Sequence, residues 1–314
     1  MAIILGCRSL RSVDESRRGL LLGVGAYLCW GLFPLYWPLL EPAGADEVLA
    51  HRIVWSLVFV AVLVSVTGRW RTTRAAVRDR RRVVYLAVGS VAVAVNWGMF
   101  IWAVNNGHVI ETSLGYFINP LVTILMGVVV LGERLRAVQW SALSLAVLAV
   151  AVLAIDYGRP PYIALVLAFS FGTYGLMKKR ANIGALEGLA VETAALAPLA
   201  VTYLAVSEAG GDTAFGHEGW LNILLLAATG VVTAIPLLLF GGAATRVSLT
   251  TVGLLQYITP IMQFLLGLIV FGEDMTSVRW LGFVLVWVAL SAITVEAVAN
   301  RRRVLSRAAE DIAC

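Results

Sequence analysis

The chain has 314 residues, of which 60% are hydrophobic and only 14% charged, with a mean hydropathy of +0.87. That usage excludes an ordinary soluble domain and leaves almost nothing for an aqueous module. The net charge of +5 and pI near 9.3 do not point to nucleic acid, because the basic residues sit beside apolar runs, where membrane topology explains them.

Residues 1–18 read as a cytoplasmic tail. Its short apolar stretch Met1–Leu5 precedes Arg8 and Arg11, the wrong order for a cleavable signal peptide. Ten apolar runs follow, over 19–39, 48–67, 83–103, 109–131, 137–155, 161–177, 186–207, 219–240, 248–271 and 279–298. Pro42, the Gly158–Pro161 stretch and Gly210-Gly211 punctuate them, and a basic tail, 299–314, ends the chain. The predicted fold class is an all-α membrane protein of ten transmembrane helices, each run suited to a core of ~30 Å. Cys7, Cys29 and Cys314 are too scattered for a disulfide framework or a metal site, and no cofactor is implied.

Lys and Arg set the orientation. With a cytoplasmic N-terminus, the inner segments hold 21 of the 24 basic residues. The outer segments hold Arg159 and Arg279, Arg52 falls within a span, and acids such as Glu41, Asp156 and Glu273 occupy the outer loops. Both termini are therefore expected in the cytoplasm. The Arg-rich run 69–82 reads as a topology signal touching anionic lipid.

The chain also repeats itself. Leu114, Ile118, Pro120, Gly127, Gly132, Glu133 and Trp140 recur 140 residues later as Leu254, Ile258, Pro260, Gly267, Gly272, Glu273 and Trp280. Between Thr112 and Ala151 that offset gives 12 identities in 40 positions, and it also relates Glu47 to Glu187 and Phe100 to Phe240. The first repeat covers 19–155 and the second 161–298. Five spans per unit is odd, so the second copy enters from the opposite side, a pattern of secondary transporters.

Arg52 is the most expensive side chain to insert, roughly 8 Å below the outer interface at 1.5 Å per residue. It reads as an anchor for an anionic substrate group or an outer-gate ion pair, against snorkelling to the headgroups; His51 adds a second polar group beside it. Glu192 is its repeat mate in the other leaflet, too far in depth for a direct bridge. The depth-matched expectation is two gate pairs, Arg52 with Glu111 and Glu192 with Arg246, against static ties between helices.

Tyr27, Trp30, Asn96, Trp97, Trp102, Asn105, Tyr116, Asn119, Gln256, Tyr257 and Gln263 supply aromatics and amides to four spans and are the candidate substrate-binding set. Pro120 and Pro260 are expected as paired mid-membrane helix breaks, the strongest pointer to a transporter site. The alternative for each amide is a helix-to-helix bond of about 0.6 kcal/mol. His108 reads as a surface residue, Glu133 and Glu273 as structural caps or headgroup contacts, and Trp140 and Trp280 as belt aromatics.

Ala26-Tyr27-Leu28-Cys29-Trp30-Gly31, His51-Arg52-Ile53-Val54-Trp55-Ser56 and the run Asn96 to Pro120 together resemble the RarD branch of the EamA family, in the drug/metabolite transporter superfamily. The resemblance covers about Arg18 to Arg303. It implies a ten-helix permease of the bacterial inner membrane with two EamA repeats, in a branch labelled for chloramphenicol sensitivity or resistance. The expected activity is alternating-access transport of small metabolites or drugs, with a coupling proton allowed by His51, Glu111 and Glu192. A homodimer is allowed through Gly19 and Gly23. A channel or non-transporting scaffold is the alternative, and no enzymatic or phosphate-binding motif is present.

Single cysteines at positions 133 and 273 of a cysteine-free chain should react with an impermeant maleimide from opposite faces of the membrane. Labelling from one face would remove the inverted repeat.

Overall fold

Apolar runs separated by charges and glycines leave the backbone one economical way to satisfy its hydrogen bonds, the helix. The computed structural model describes residues 2–131, 135–244, 246–247 and 255–313, with only the backbone for 2–14 and 301–313 and for seven residues between (Gly127, Leu131, Lys179, Gly241, Ala244, Ala297 and Asn300). Gly132, Glu133 and Leu254 of the repeat lie outside the described residues. The helices are α1 (Ala2–Gly31), α2 (Phe33–Tyr36), α3 (Ala45–Val66), α4 (Trp70–Arg78), α5 (Arg80–Asn105), α6 (Val109–Leu131), α7 (Ala137–Tyr157), α8 (Tyr162–Ala181), α9 (Ala185–Gly210), α10 (Gly219–Ala244), α11 (Ile258–Ile269) and α12 (Ser277–Ala313), with a 3-10 turn at Trp37–Leu40.

Seven of these are long and apolar enough to cross a membrane: α3, α5, α6, α7, α9, α10 and the Ser277–Glu296 part of α12. An eighth results if the bent pair Glu15–Gly31 and Phe33–Leu40 is one span, while Tyr162–Lys178 and Ile258–Ile269 are shorter apolar helices. The chain is thus an all-helical, multi-pass membrane protein among its described residues.

Three departures from the sequence expectation have physical causes. The first run bends by 43°, where Pro34 and Pro38 open the two short helical pieces after Leu32. The Arg-rich connection contains α4, which buries Thr73 and Ala76 three residues apart while its arginines stay exposed; small buried residues give too weak a hydropathy signal to announce it. Both tails are helical too, since Arg, Ala and Glu are good helix formers once a span is nucleated.

Packing follows a regular scheme. Helix α1 lies against α10 and α11, and α8 lies against α5 and α6. Helix α3 packs on α9 and α10, α9 on α3 and α5, α6 on α11, and α7 on α12. One cluster gathers Phe117, Leu121, Phe264 and Phe283; another gathers Phe33, Trp37, Phe100, Leu167 and Leu226. Leu21, Val66, Ile155, Leu199 and Ile269 stay exposed on the outside, as lipid-facing side chains do.

Small residues set the closest crossings. A Cβ on Gly115 of α6 would stand 2.9 Å from the Ala164 carbonyl oxygen of α8. On α10, a Cβ on Gly230 would overlap the Trp55 carbonyl and lie 2.8 Å from the Ser56 nitrogen of α3. Backbone atoms have nowhere to retreat. Gly230→Val should therefore cost at least about 2 kcal/mol of overpacking, read as a lower melting temperature and a smaller monodisperse yield in detergent than Gly175→Val, where a Cβ meets nothing within 4 Å.

Candidate functional site

Helix α3 carries the most unusual side chain into the bundle. Arg52 is 3% exposed, and its guanidinium carbon sits 4.0 Å from the ring centre of Trp97, 5.0 Å from Trp37 and 5.6 Å from Phe33. Its Nε–H donates to Thr233 Oγ1 at 2.9 Å. Tyr116 lies within Coulombic reach. The expected pairing with Glu111 is not made. Glu111 instead accepts a two-pronged bond from Arg159, at 3.0 and 3.3 Å. Glu111 opens α6 beside the Arg159 loop, so it meets the charge at its own level and on its own side of the bundle.

Beside Arg52, the His51 ring lies 4.5 Å from the ring of Phe215, with Nε2 3.9 Å from Glu47 Oε1. Neither ring nitrogen has a hydrogen-bond partner. Glu47 accepts from the backbone N–H groups of Ala214 and Phe215 at 3.0–3.1 Å. Its repeat equivalent, Glu187, accepts from Arg69 Nη1 and Thr72 Oγ1, each at 3.2 Å.

The second expected gate pair is also replaced. Glu192, 1% exposed, stands 2.8 Å from Lys178 Nζ and accepts from the Tyr174 hydroxyl at 3.3 Å. Lys178 and Tyr174 share one face of α8, four residues apart. Arg246 faces outward instead, bonding Glu15 at 2.9 Å and the Gly242 carbonyl at 2.9 Å.

The amides and aromatics divide into separate groups. Asn96 donates to the Leu167 carbonyl at 3.0 Å and Ser170 Oγ at 3.1 Å, and accepts from the Tyr116 hydroxyl at 3.3 Å. That ties α5, α6 and α8 together. Asn119, one turn beyond Tyr116, keeps Oδ1 unpartnered and faces Gly172. Tyr27, Trp30 and Phe240 form a ring cluster with centroids 5.4–6.1 Å apart. Gln263 joins this cluster by donating to the Trp30 carbonyl at 3.3 Å, with Oε1 unpartnered.

Trp97 reaches Arg52, whereas Trp102 does not; it is exposed and stacks near His108 at 6.0 Å. Asn105 ends α5. Gln256 and Tyr257 lie in the turn before α11, and Tyr257 packs on the Phe117–Phe283 cluster instead. Of the two expected helix breaks, the one at Pro120 is not made, while a helix does begin two residues before Pro260. Helix α6 continues through Pro120, so the lost donor sits inside an unbroken helix. Pro260 occupies the first turn of α11, where the missing N–H is an orphan in any case.

A polar cavity of about 370 Å³ opens between the α5–α6 turn, the α7–α8 turn and the segment before α12. Glu111, Arg159, His108, Tyr157, Glu273, Asp274 and Arg279 line it. Glu273 caps α6 by accepting from Val109 N–H and, at 3.1 Å, from Ile110 N–H, matching the structural cap expected of it, although on a helix of the other repeat. Arg279 bonds Asp156 at 2.7 Å, and Glu111 holds the Arg159 guanidinium in its charged form more firmly than usual.

Sequence reading missed Trp37, Phe33 and Thr233 around Arg52, and Lys178 and Tyr174 around Glu192. Arg159 was legible: it was one of two outer basic residues, at the depth of Glu111.

Burial pushes the Glu273 carboxyl up from 4.5 to about 7, against the pull of the two backbone N–H donors. The folded protein then holds a proton that the unfolded chain has released, so this group's stabilisation is full below pH 4.5 and fades as pH rises through 7. In Glu273→Gln that fall should disappear. Its melting temperature should exceed the wild-type trend by about 2 °C or more at pH 8 relative to pH 5, with Glu111, Asp274, Asp156, His108 and both arginines unchanged.

The EamA-like transporter family matches residues 17–155 and 161–295. Protein RarD of Streptomyces exfoliatus is 54% identical over 298 residues, 95% of each chain. Protein RarD of Escherichia coli is 43% identical over 92% of this chain and 98% of its own. The chloramphenicol-sensitive protein RarD of Pseudomonas aeruginosa is 30% identical over 88% of this chain and 93% of its own. One solved crystal structure, at 18% identity, superposes with a TM-score of 0.56 over 89% of this chain and 98% of that chain, a likeness of fold alone. With the family matched along most of its length and RarD-named relatives end to end, this chain belongs to the EamA-like transporter family.

Proposed function

We propose that the chain is a secondary carrier that moves a small metabolite or drug across the bacterial inner membrane by alternating access. It would work as ten spans in two inverted repeats, 19–155 and 161–298, with both termini in the cytoplasm. The observation that carries this reading is an exchange symmetry in the packing. Shifting by one repeat turns α1 on α10 and α11 into α8 on α5 and α6, turns α3 on α10 into α9 on α5, and returns α3 on α9, α6 on α11 and α7 on α12 to themselves. In this reading the shorter apolar helices Tyr162–Lys178 and Ile258–Ile269 and the bent pair Glu15–Gly31 and Phe33–Leu40 would fill the remaining three span positions.

Two glutamates 140 residues apart support the same reading. Glu47 opens α3 and holds the segment after α9; Glu187 opens α9 and holds the segment after α3. Each half latches the other, at opposite ends of the bundle if the repeats are inverted. Repeat-related latches of this kind suit a protein that must exchange two related states.

In this reading the pathway runs along the seam of α1, α3, α5, α6, α8, α10 and α11. Trp97, Asn119, Gln263 and Trp30 would meet the substrate, and Asn96 and Tyr116 would hold helices. The Glu111–Arg159 and Glu192–Lys178 pairs replace the expected gates, one near each end of the seam, and Glu192 is the candidate for proton coupling. A chloramphenicol-like substrate enters only through the name of the Pseudomonas relative.

The test compares metabolites retained by cells with and without the chain, followed by counterflow of each differing metabolite, and of chloramphenicol, in proteoliposomes. A carrier should accumulate label transiently above equilibrium when the vesicles are preloaded with the unlabelled compound. Flux without saturation or overshoot would leave a channel; no flux would leave a scaffold.

A further inference from the structure

Among the described residues, Arg52 is the buried cation to which the structure gives no acid. Every buried acid described is engaged elsewhere: Glu111 with Arg159, Glu192 with Lys178, Glu187 with Arg69, and Glu47 with backbone N–H groups and His51. Of five guanidinium N–H donors, one is used, by Thr233. The indole Nε1–H of Trp37, on the ring 5.0 Å away, is likewise buried without a partner. The Tyr116 hydroxyl gives its proton to Asn96.

Burying a guanidinium is costly, and aromatic faces offset only part of that cost. A surplus of donors in an apolar cage is what a site for an oxyanion looks like before the oxyanion arrives. A carboxylate fits the planar fork with two parallel bonds. The walls of Trp97, Trp37 and Phe33 would take an apolar or aromatic body attached to it. One cation balances one negative charge, so a doubly charged phosphate would carry an excess charge into the cage.

We propose that Arg52, within its cage of Trp97, Trp37 and Phe33, binds the carboxylate of the carried molecule, which makes the substrate class small organic monocarboxylates. The word carried rests on the transport reading above; the binding itself does not. Arg52 is thereby a substrate-binding residue and not half of a gate. Its position on α3, bonded across to Thr233 of α10 and stacked on Trp97 of α5, lets one bound anion pull three helices together.

Equilibrium binding to the purified full-length protein tests this without requiring flux. Acetate, benzoate and indole-3-acetate are each titrated against their amides, with phenylphosphonate as the dianion, reading tryptophan fluorescence and thermal shift. At least one carboxylate should bind tenfold or more tightly than its amide and than phenylphosphonate. Arg52→Gln should abolish that preference, and Arg52→Lys should weaken it while keeping its sign. Trp97→Phe, which keeps the charge and a π-face, guards against a variant that fails to fold: it should retain the preference, read by thermal shift and by the remaining response of Trp37. The proposal is overturned if carboxylates and amides bind alike, if none binds, if the phosphonate wins, or if Arg52→Gln keeps the preference. A protein that binds carboxylates but shows no counterflow would sink the carrier reading alone. A carrier of neutral compounds indifferent to Arg52 would sink this one alone.

Discussion

A guanidinium, an ammonium and several carboxyl groups lie inside a bundle whose exposed surface is rich in Leu, Val and Ile, where the protein must supply most of their solvation. That constraint orders the rest of the molecule. The Glu192 carboxylate takes Lys178 at 2.8 Å and the Tyr174 hydroxyl. Glu111 takes the Arg159 fork. Glu47 and Glu273 each direct carboxyl oxygens at the backbone N–H groups of another element, the kind of donor a helix N-terminus offers. Because each of these bonds joins a helix to another helix or to a connecting segment, the polar groups also fix which elements are neighbours and at what height. Among the described residues, Arg52 alone is met by aromatic faces and one hydroxyl.

Bringing such groups into contact requires that the helices approach closely, and small residues make this possible. Gly230 against Trp55 and Ser56, and Gly115 against Ala164, place backbones in direct contact. The first crossing lies one turn from Arg52, so the cage depends on a glycine that carries no chemistry of its own. Packing and site are one object here, and a substitution at the crossing would move the guanidinium as surely as one beside it.

The candidate residues show how far depth and composition lead. Depth correctly excluded a bridge between Arg52 and Glu192, then wrongly joined Arg52 to Glu111, because two groups at one level can face different sides of the bundle. Trp97 and Trp102 looked equivalent on one span. Five residues of helix rotate the side chain by about 140°, so one covers Arg52 and the other points outward beside His108. Pro120 looked like a break, yet hydrogen bonds on either side carry α6 through it. Trp37 and Thr233 gave no signal at all, since an aromatic before a proline and a threonine in an apolar run are ordinary residues until a cation lies against them.

Membrane class, the positions of the apolar runs and the internal repeat were legible in the chain itself. They follow from bulk hydrophobicity, turn formers and a fixed offset, which are properties of a string of residues. The bend after Leu32, the helix α4, the partners of the buried acids and the lack of an acid beside Arg52 among the described residues were decided by the tertiary structure. Those depend on azimuth and on which helix stands opposite, and neither is written in the order of residues along one helix.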